Sequence, residues 1–254
     1  MSDDEVGVER GDDHVATVEI RRPPNNFFDA ALITRLADAV EDLAAGEDVR
    51  AVVLCSEGRH FCAGANFAAE GEGAGETTRL YQAAVRLFRQ PLPVVAAVQG
   101  AAVGGGLGLA LAADLRVVAT EARFTANFAL LGFHQGFGIS VTLPRVVGPQ
   151  QAMELLTTGR RIGGEEALRI GLADRLVPLD EVRAGAHALA AEIAAAAPLA
   201  VRSIRATLRG DLADQVAAAV DHERAEQQRL MRTADFREGV AAVAERRPGR
   251  FTGR

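Results

Sequence analysis

From Gln90 to Ala113 the sequence carries no charged residue, and a run of that length has to leave water as a unit. A single helix across a bilayer would need about 20 apolar residues. Here Pro91 and Pro93 stand at the start, Gly104-Gly105-Gly106 interrupts the middle, and Gln99 is polar, so a continuous helix is broken more than once. The run reads instead as a buried strand, a tight turn and a buried helix. Burying such a piece on all sides takes a large core, and 254 residues at 48% hydrophobic content supply one.

The same alternation extends through the first half. Strands are expected over VATVEI (15–20), AVVLC (51–55), PVVAAV (93–98) and LRVVAT (115–120), with helices around 29–45, 77–90 and 104–113. That order gives an α/β layout. From about Val141 the β signal fades, and beyond Pro178 the chain reads as helix almost without interruption to about Arg246, much of it alanine-rich. The division expected is an α/β core over residues 1–195 and a helical section over 196–254 that covers the core or a neighbouring subunit. The first dozen residues and the tail PGRFTGR are expected to fray.

Composition excludes several functions. A formal net charge of -6 argues against a polyanion-binding surface, so nucleic acid is not an expected partner. Every residue among the 28 Lys+Arg positions is arginine, which removes a Schiff-base lysine and leaves arginine forks for any phosphate. Cys55 and Cys62 have no partners at zinc-ligand spacing and read as small buried hydrophobes, with no metal or redox signature. The acidic start, MSDDEVGVERGDD, has no apolar segment of the secretory kind, so a cytoplasmic protein is expected.

Two segments carry the chemistry. Arg59-His60-Phe61-Cys62-Ala63-Gly64-Ala65-Asn66 follows a strand and packs small residues around a glycine, which lets backbone approach a ligand. Val103-Gly104-Gly105-Gly106-Leu107-Gly108 follows another strand and opens a helix, whose first N–H groups lack intrahelical acceptors. Each alone serves tight packing as often as ligand binding. No G-x-x-x-x-G-K-[ST] loop is present, and the triple glycine lies too deep in the chain for a first-strand dinucleotide turn.

In order and spacing these segments resemble the enoyl-CoA hydratase/isomerase (crotonase) superfamily. The matching pieces are FCAGAN (61–66), QGAAVGGGLGLALAADLRV (99–117), LPRVVG (143–148), TGRRIGGEEALRIGLADRLVP (158–178) and DFREGVAAVAERRPGRF (235–251). The resemblance runs from about Val15 to the C-terminus. It implies a spiral of β-β-α units with a C-terminal helical section, assembled as a homotrimer or a dimer of trimers. It also implies an acyl-CoA substrate, with coenzyme A entering as part of the thioester and no separate cofactor. The backbone N–H groups of Ala65 and Gly105 match the oxyanion hole that stabilises an enolate-like intermediate.

The resemblance places coenzyme A along Arg22, Asn26, Phe28, Ala63, Asn66, Phe67 and Gly104, with Phe251 and Arg250 or Arg254 contributing from this or an adjacent subunit. The acyl group would pass Tyr81, Phe128, Leu131 and Gly132. Relatives often carry a lysine at the position of Ala68, and its absence leaves phosphate contacts to arginines such as Arg22. A larger departure concerns acids. The hydratase carboxylates would sit at Gly108, one turn after Gly105, and at Phe128, while the acid of some isomerases, dienoyl isomerases and dehalogenases falls at Gly136.

His134 is the first candidate for a replacement general base, beside the plainer reading of a histidine held by hydrogen bonds in a Gly-rich loop. Glu70 and Glu72, in EGEGAGE, are outside candidates beside the plainer reading of a solvated charge run. His60 is expected to face solvent. Phe128 in place of an acid suggests an apolar acyl cavity suited to a long-chain or ring-bearing group. Two functions remain: an enzyme of this family in which ordinary hydration is weak, and a protein that binds acyl-CoA on the same fold without catalysis.

Overall fold

The computed structural model describes residues 5–65 and 74–254, so the readings on Asn66, Phe67, Ala68, Glu70 and Glu72 lie outside the described residues. The chain opens with strand β1 (Val6–Arg10), antiparallel to β2 (Val15–Ile20). Residues expected to fray are thus a sheet edge. Helix α1 (Ala30–Ala45) starts at Asp29, whose side chain accepts from the Leu32 amide, a cap worth about 1 kcal/mol. Then follow β3 (Ala51–Ser56), α2 (Ala74–Arg89), β4 (Val94–Val98), β5 (Ala101–Val103) and α3 (Gly105–Ala112). Strands β3 and β4 are buried at every residue, as expected for parallel strands covered on both faces.

Next come β6 (Leu115–Ala119), β7 (Arg123–Thr125), a single 3-10 turn at Ala129–Leu131, α4 (Ile139–Val147) and α5 (Pro149–Thr158). Two of the strands the sequence pattern missed, β8 (Arg161–Gly163) and β9 (Arg175–Val177), flank α6 (Gly164–Arg169). At three residues each they are too short to show a period-two alternation. The chain ends in α7 (Val182–Ala194), α8 (Pro198–Arg209), α9 (Leu212–Leu230) and α10 (Ala234–Ala244).

The strands fall into two sheets, one in the order β1-β2-β3-β4-β6-β9 and one in the order β5-β7-β8. Along the chain β4 enters the first sheet and β5 the second before α3, and β6 and β7 repeat the step before α4. The β3 turn is similar, since Cys62 bridges Ala102 of β5 before α2 begins. This is the expected spiral of β-β-α units. Helix α7 packs on β3, β4 and β6, while α1 lies against α2 and α2 against α9. The uncharged run is therefore β4, β5 and α3, and no single helix among the described residues is long and apolar enough to cross a membrane.

Helix α8 joins this body through its arginines. Asp114 accepts from the Val94 amide (2.8 Å), Arg205 Nε (2.9 Å) and Arg209 Nη1 (2.6 Å), and Arg205 also donates to the Gln90 carbonyl. Burial depresses the Arg205 pKa, partly countered by Asp114. No residue of α8 is buried, and Leu199, Ile204 and Leu208 are 80%, 59% and 71% exposed. The usual amphipathic arrangement is inverted. The C-terminal tail, expected to fray, is pinned: Asp235 accepts from the amides of Thr252 (2.7 Å) and Gly253 (2.8 Å), and its own amide donates to the Arg254 carbonyl.

Two expectations follow from these attachments. Asp114→Ala strands two guanidinium groups, whose side chains are only 10% and 13% exposed, without their carboxylate. Urea unfolding should show a loss of about 3 kcal/mol, the low end for breaking a buried pair; an unchanged midpoint would refute the clamp. The amides of Thr252 and Gly253 hold the Asp235 carboxyl below its ordinary value. The tail attachment should be complete above about pH 4, the ordinary carboxylate range, and weaken only as pH falls through the depressed value. Hydrogen exchange at the amides of residues 252 and 253 should follow that course in the native chain, and be fast throughout in Asp235→Ala.

Candidate functional site

The small-residue turn after β3 is tied to backbone on both sides. Cys62 donates to the Ala101 carbonyl (2.9 Å) and accepts from the Val103 amide (3.0 Å), which joins it to β5. On the other side Ala63 donates to the Asn25 carbonyl (2.9 Å), Phe28 donates to the Gly64 carbonyl (3.0 Å), and Phe28 bridges Ala65. Glycine is required for this closeness. Gly64 has φ +91°, and a Cβ there would lie 2.8 Å from the Val103 oxygen and 3.8 Å from the Gly105 nitrogen. A Cβ on Gly106 would stand 2.1 Å from the Cys62 oxygen, and one on Gly105 would stand 2.3 Å from the Phe28 ring.

The turn and the start of α3 are thus adjacent. Gly104 caps the helix with φ +54° and donates its own N–H to the Thr125 carbonyl. Gly105 is the first helical residue, where no intrahelical acceptor exists. Among the described residues neither the Ala65 nor the Gly105 amide has a backbone acceptor. Both cysteines are buried thiols, and burial pushes Cys55 up to about 11 and Cys62 up to about 12.

Beyond the amides the surroundings are aromatic. The Phe128 ring lies 3.6 Å from where a Cβ on Gly104 would be, and Phe28 and Phe137 pack at 5.6 Å between ring centroids. At Gly108 a Cβ would come within 2.7 Å of the Phe137 Cβ, so that place is filled. At Gly136 a Cβ would meet the Tyr81 hydroxyl at 2.1 Å. Tyr81 is buried; its hydroxyl donates to Gln227 (2.6 Å), and burial with the Glu223 charge raises its pKa. Glu223 and Gln227, both buried on α9, are not singled out by the sequence, where they lie within the polar helical stretch DHERAEQQRL.

The other candidates are distributed differently. His134 bonds through Nδ1 to the Gln135 carbonyl (2.8 Å) and sets its ring edge-on to His222 of α9 at 5.8 Å. Its backbone carbonyl also accepts from Gln227 of α9 (3.1 Å). Leu131 and Gly132 pack against α10: a Cβ on Gly132 would stand 2.7 Å from the Asp235 oxygen, and one on Gly239 would stand 2.4 Å from the Leu131 carbonyl carbon. Phe251 is 43% exposed on the pinned tail. His60, expected in solvent, is half-buried and accepts from the Ala101 amide, with its pKa lowered first by burial and then by Arg59 and Arg123.

The loop expected to hold coenzyme A is stiff. Asn26, fully buried with φ +49°, accepts from the Arg22 amide and donates to the Glu57 and His60 carbonyls. Its side chain is a staple with no donor left over. The Arg22 guanidinium is shared between Asp29 (2.8 Å) and Glu5 (2.7 Å), so its charge is already compensated by carboxylates. Among the described residues no group of three His, Cys, Asp or Glu side chains converges to hold a metal ion. A cleft of about 450 Å³ lies apart from Ala65 and Gly105, lined by Arg59, His60, Gln99, Arg123 and Arg183 among others.

Known proteins give this arrangement a family. The sequence model of the enoyl-CoA hydratase/isomerase family matches residues 10–254. A putative enoyl-CoA hydratase of Thermus thermophilus is 38% identical over 97% of this chain and 100% of its own length. A probable enoyl-CoA hydratase of Rhodobacter capsulatus is 37% identical over 94% of this chain and 95% of its own. A crystal structure of an enoyl-CoA hydratase/isomerase from Pseudoalteromonas atlantica superposes with TM-score 0.87 at 30% identity, covering 98% of this chain and 100% of that one. An enoyl-CoA hydratase from Mycobacterium avium subsp. paratuberculosis follows at TM-score 0.85 and 31% identity, covering 98% of each chain. With its spiral of β-β-α units matched over nearly its whole length, the chain is an enzyme of the enoyl-CoA hydratase/isomerase family of the crotonase superfamily.

Proposed function

We propose that the chain binds acyl-coenzyme A thioesters, with the N–H groups of Ala65 and Gly105 holding the thioester oxygen and stabilising an enolate-like intermediate. The pair of amides carries this reading. Both lack a backbone acceptor among the described residues, and they belong to segments bonded to each other through Cys62, Ala101 and Val103. Donors fixed in place need no reorganisation as charge develops on the oxygen, and one such donor is worth roughly 10²–10³ in rate in other enzymes. Coenzyme A enters as part of the substrate.

Ordinary hydration is expected to be weak. General acid–base help contributes about 10²–10⁴, and carboxylates are missing at Gly108, Phe128 and Gly136. His134, the candidate base, is engaged with α9 and would have to turn to serve the thioester. A second reading, a protein that holds the thioester without turning it over, draws support from the same neighbourhood. Side chains growing from positions 108 and 136 would run into Phe137 and the Tyr81 hydroxyl, so the scaffold keeps no room for acids there.

Assembly as a homotrimer or a dimer of trimers belongs to the same reading. The outward apolar residues of α8 support it: Ile204 and Leu208, four apart on one face, are exposed while Arg205 and Arg209 face the core. Such a ridge is stable in water when another copy covers it.

Calorimetry with crotonyl-CoA should give saturable binding, and isotope-edited infrared spectra should show the bound thioester carbonyl stretch at lower frequency than in water. A bound thioester whose carbonyl frequency does not move would reject the two-amide site. Hydration of crotonyl-CoA should be feeble; turnover at 10–10³ s⁻¹, roughly the range of ordinary enzymes, would reject the assignment of weak hydration. For assembly, the double variant Ile204→Glu/Leu208→Glu should sediment at lower mass than the native chain. Identical sedimentation would show that α8 is not buried between copies.

A further inference from the structure

We propose that Phe137 selects the acyl group: its ring closes the acyl end of the site so that short, slender chains fit and long ones do not. The inference rests on the acyl-CoA reading and adds the substrate class to it. Gly105 and Gly108 lie one turn apart on the same face of α3. The Phe28 ring covers the place of a Cβ on the first, and the Phe137 Cβ and ring cover that on the second, at 2.7 and 3.0 Å. An acyl chain leaving a carbonyl held at the Gly105 amide and running along this face meets Phe137 within a turn of helix. The ring is 1% exposed and braced by Phe28.

The backbone under the ring is held against its own preference. Phe137 sits at φ +62°, in the left-handed region that a bulky residue avoids. Polar contacts from α9 to the residues on either side hold it there. Glu223 of α9 accepts from the Gly138 amide (2.8 Å) and the Ser140 amide (3.0 Å), and Gln227 of α9 accepts from the Tyr81 hydroxyl of α2 (2.6 Å) and donates to the His134 carbonyl (3.1 Å). Glycine flanks Phe137 on both sides, and a side chain at Gly136 would strike Tyr81 while one at Gly138 would strike Val216. Strain maintained by several independent contacts at the wall of a site marks a residue whose position matters.

The expectation reverses the long-chain cavity suggested by Phe128 alone. In an open apolar pocket each added methylene tightens binding; behind a closed wall it weakens it. Dissociation constants for butyryl-CoA and octanoyl-CoA, measured by calorimetry on the intact chain and on Phe137→Gly and Phe137→Leu, separate the cases. Glycine suits the left-handed backbone, and leucine keeps apolar bulk should the glycine variant fold poorly. The native chain should prefer butyryl-CoA by about tenfold or more, the scale on which pockets discriminate single methylenes. Phe137→Gly should erase or invert that preference, and Phe137→Leu should shift it in the same direction by less. Octanoyl-CoA bound as tightly as butyryl-CoA by the native chain, or a preference unchanged in the variants, overturns the role of Phe137 and leaves thioester binding intact. Absence of binding by either thioester to the native chain overturns both.

Discussion

Everything in the site depends on how closely two pieces of backbone approach one another. The turn at Cys62–Ala65 lies against β5 and the start of α3 with no side chains between, because Gly64, Gly105 and Gly106 leave the space free. A methyl group at any of the three would meet a carbonyl oxygen or the Phe28 ring at 2.1–2.8 Å. Several carbonyls and amides at this seam are satisfied by one another, and among the described residues the Ala65 and Gly105 amides have no backbone acceptor. A donor beside such a bonded seam is already oriented, since the bonds that fix its neighbours fix it too.

The sequence revealed the parts that are local. The valine-rich runs over β2, β3, β4 and β6 are buried and lie within a residue or two of where pattern alone sets them. The small residues around Gly64 and the glycine triplet identify the seam because close approach leaves a compositional trace. The ordered motifs along the chain gave the family. Elements without such a trace were missed: β8 and β9 are too short, and β1 hides its pairing among acidic neighbours.

The polar contacts around Phe137 escaped for a different reason. Tyr81 meets Gln227 across 146 positions and Gly138 meets Glu223 across 85, and nothing local distinguishes Glu223 from its solvated neighbours in the segment DHERAEQQRL. Arg22 shows the converse. Its residue type suited a phosphate, but Glu5 and Asp29 surround the guanidinium. Composition reports what a side chain is able to bind, whereas the fold decides which of its partners is already in place.

Helix α8 carries charge on its inner side and oil on its outer side, and dissolved salt acts on these unequally. Ionic strength only weakly screens the attraction of Arg205 and Arg209 for Asp114, because the pair lies largely out of water, so the grip of the helix on its own core persists. Excluded anions such as sulfate drive apolar surface out of water, and so press Ile204 and Leu208 toward any neighbour that covers them. The inner face of the helix thus holds while its outer face becomes costlier to leave in water as the medium changes.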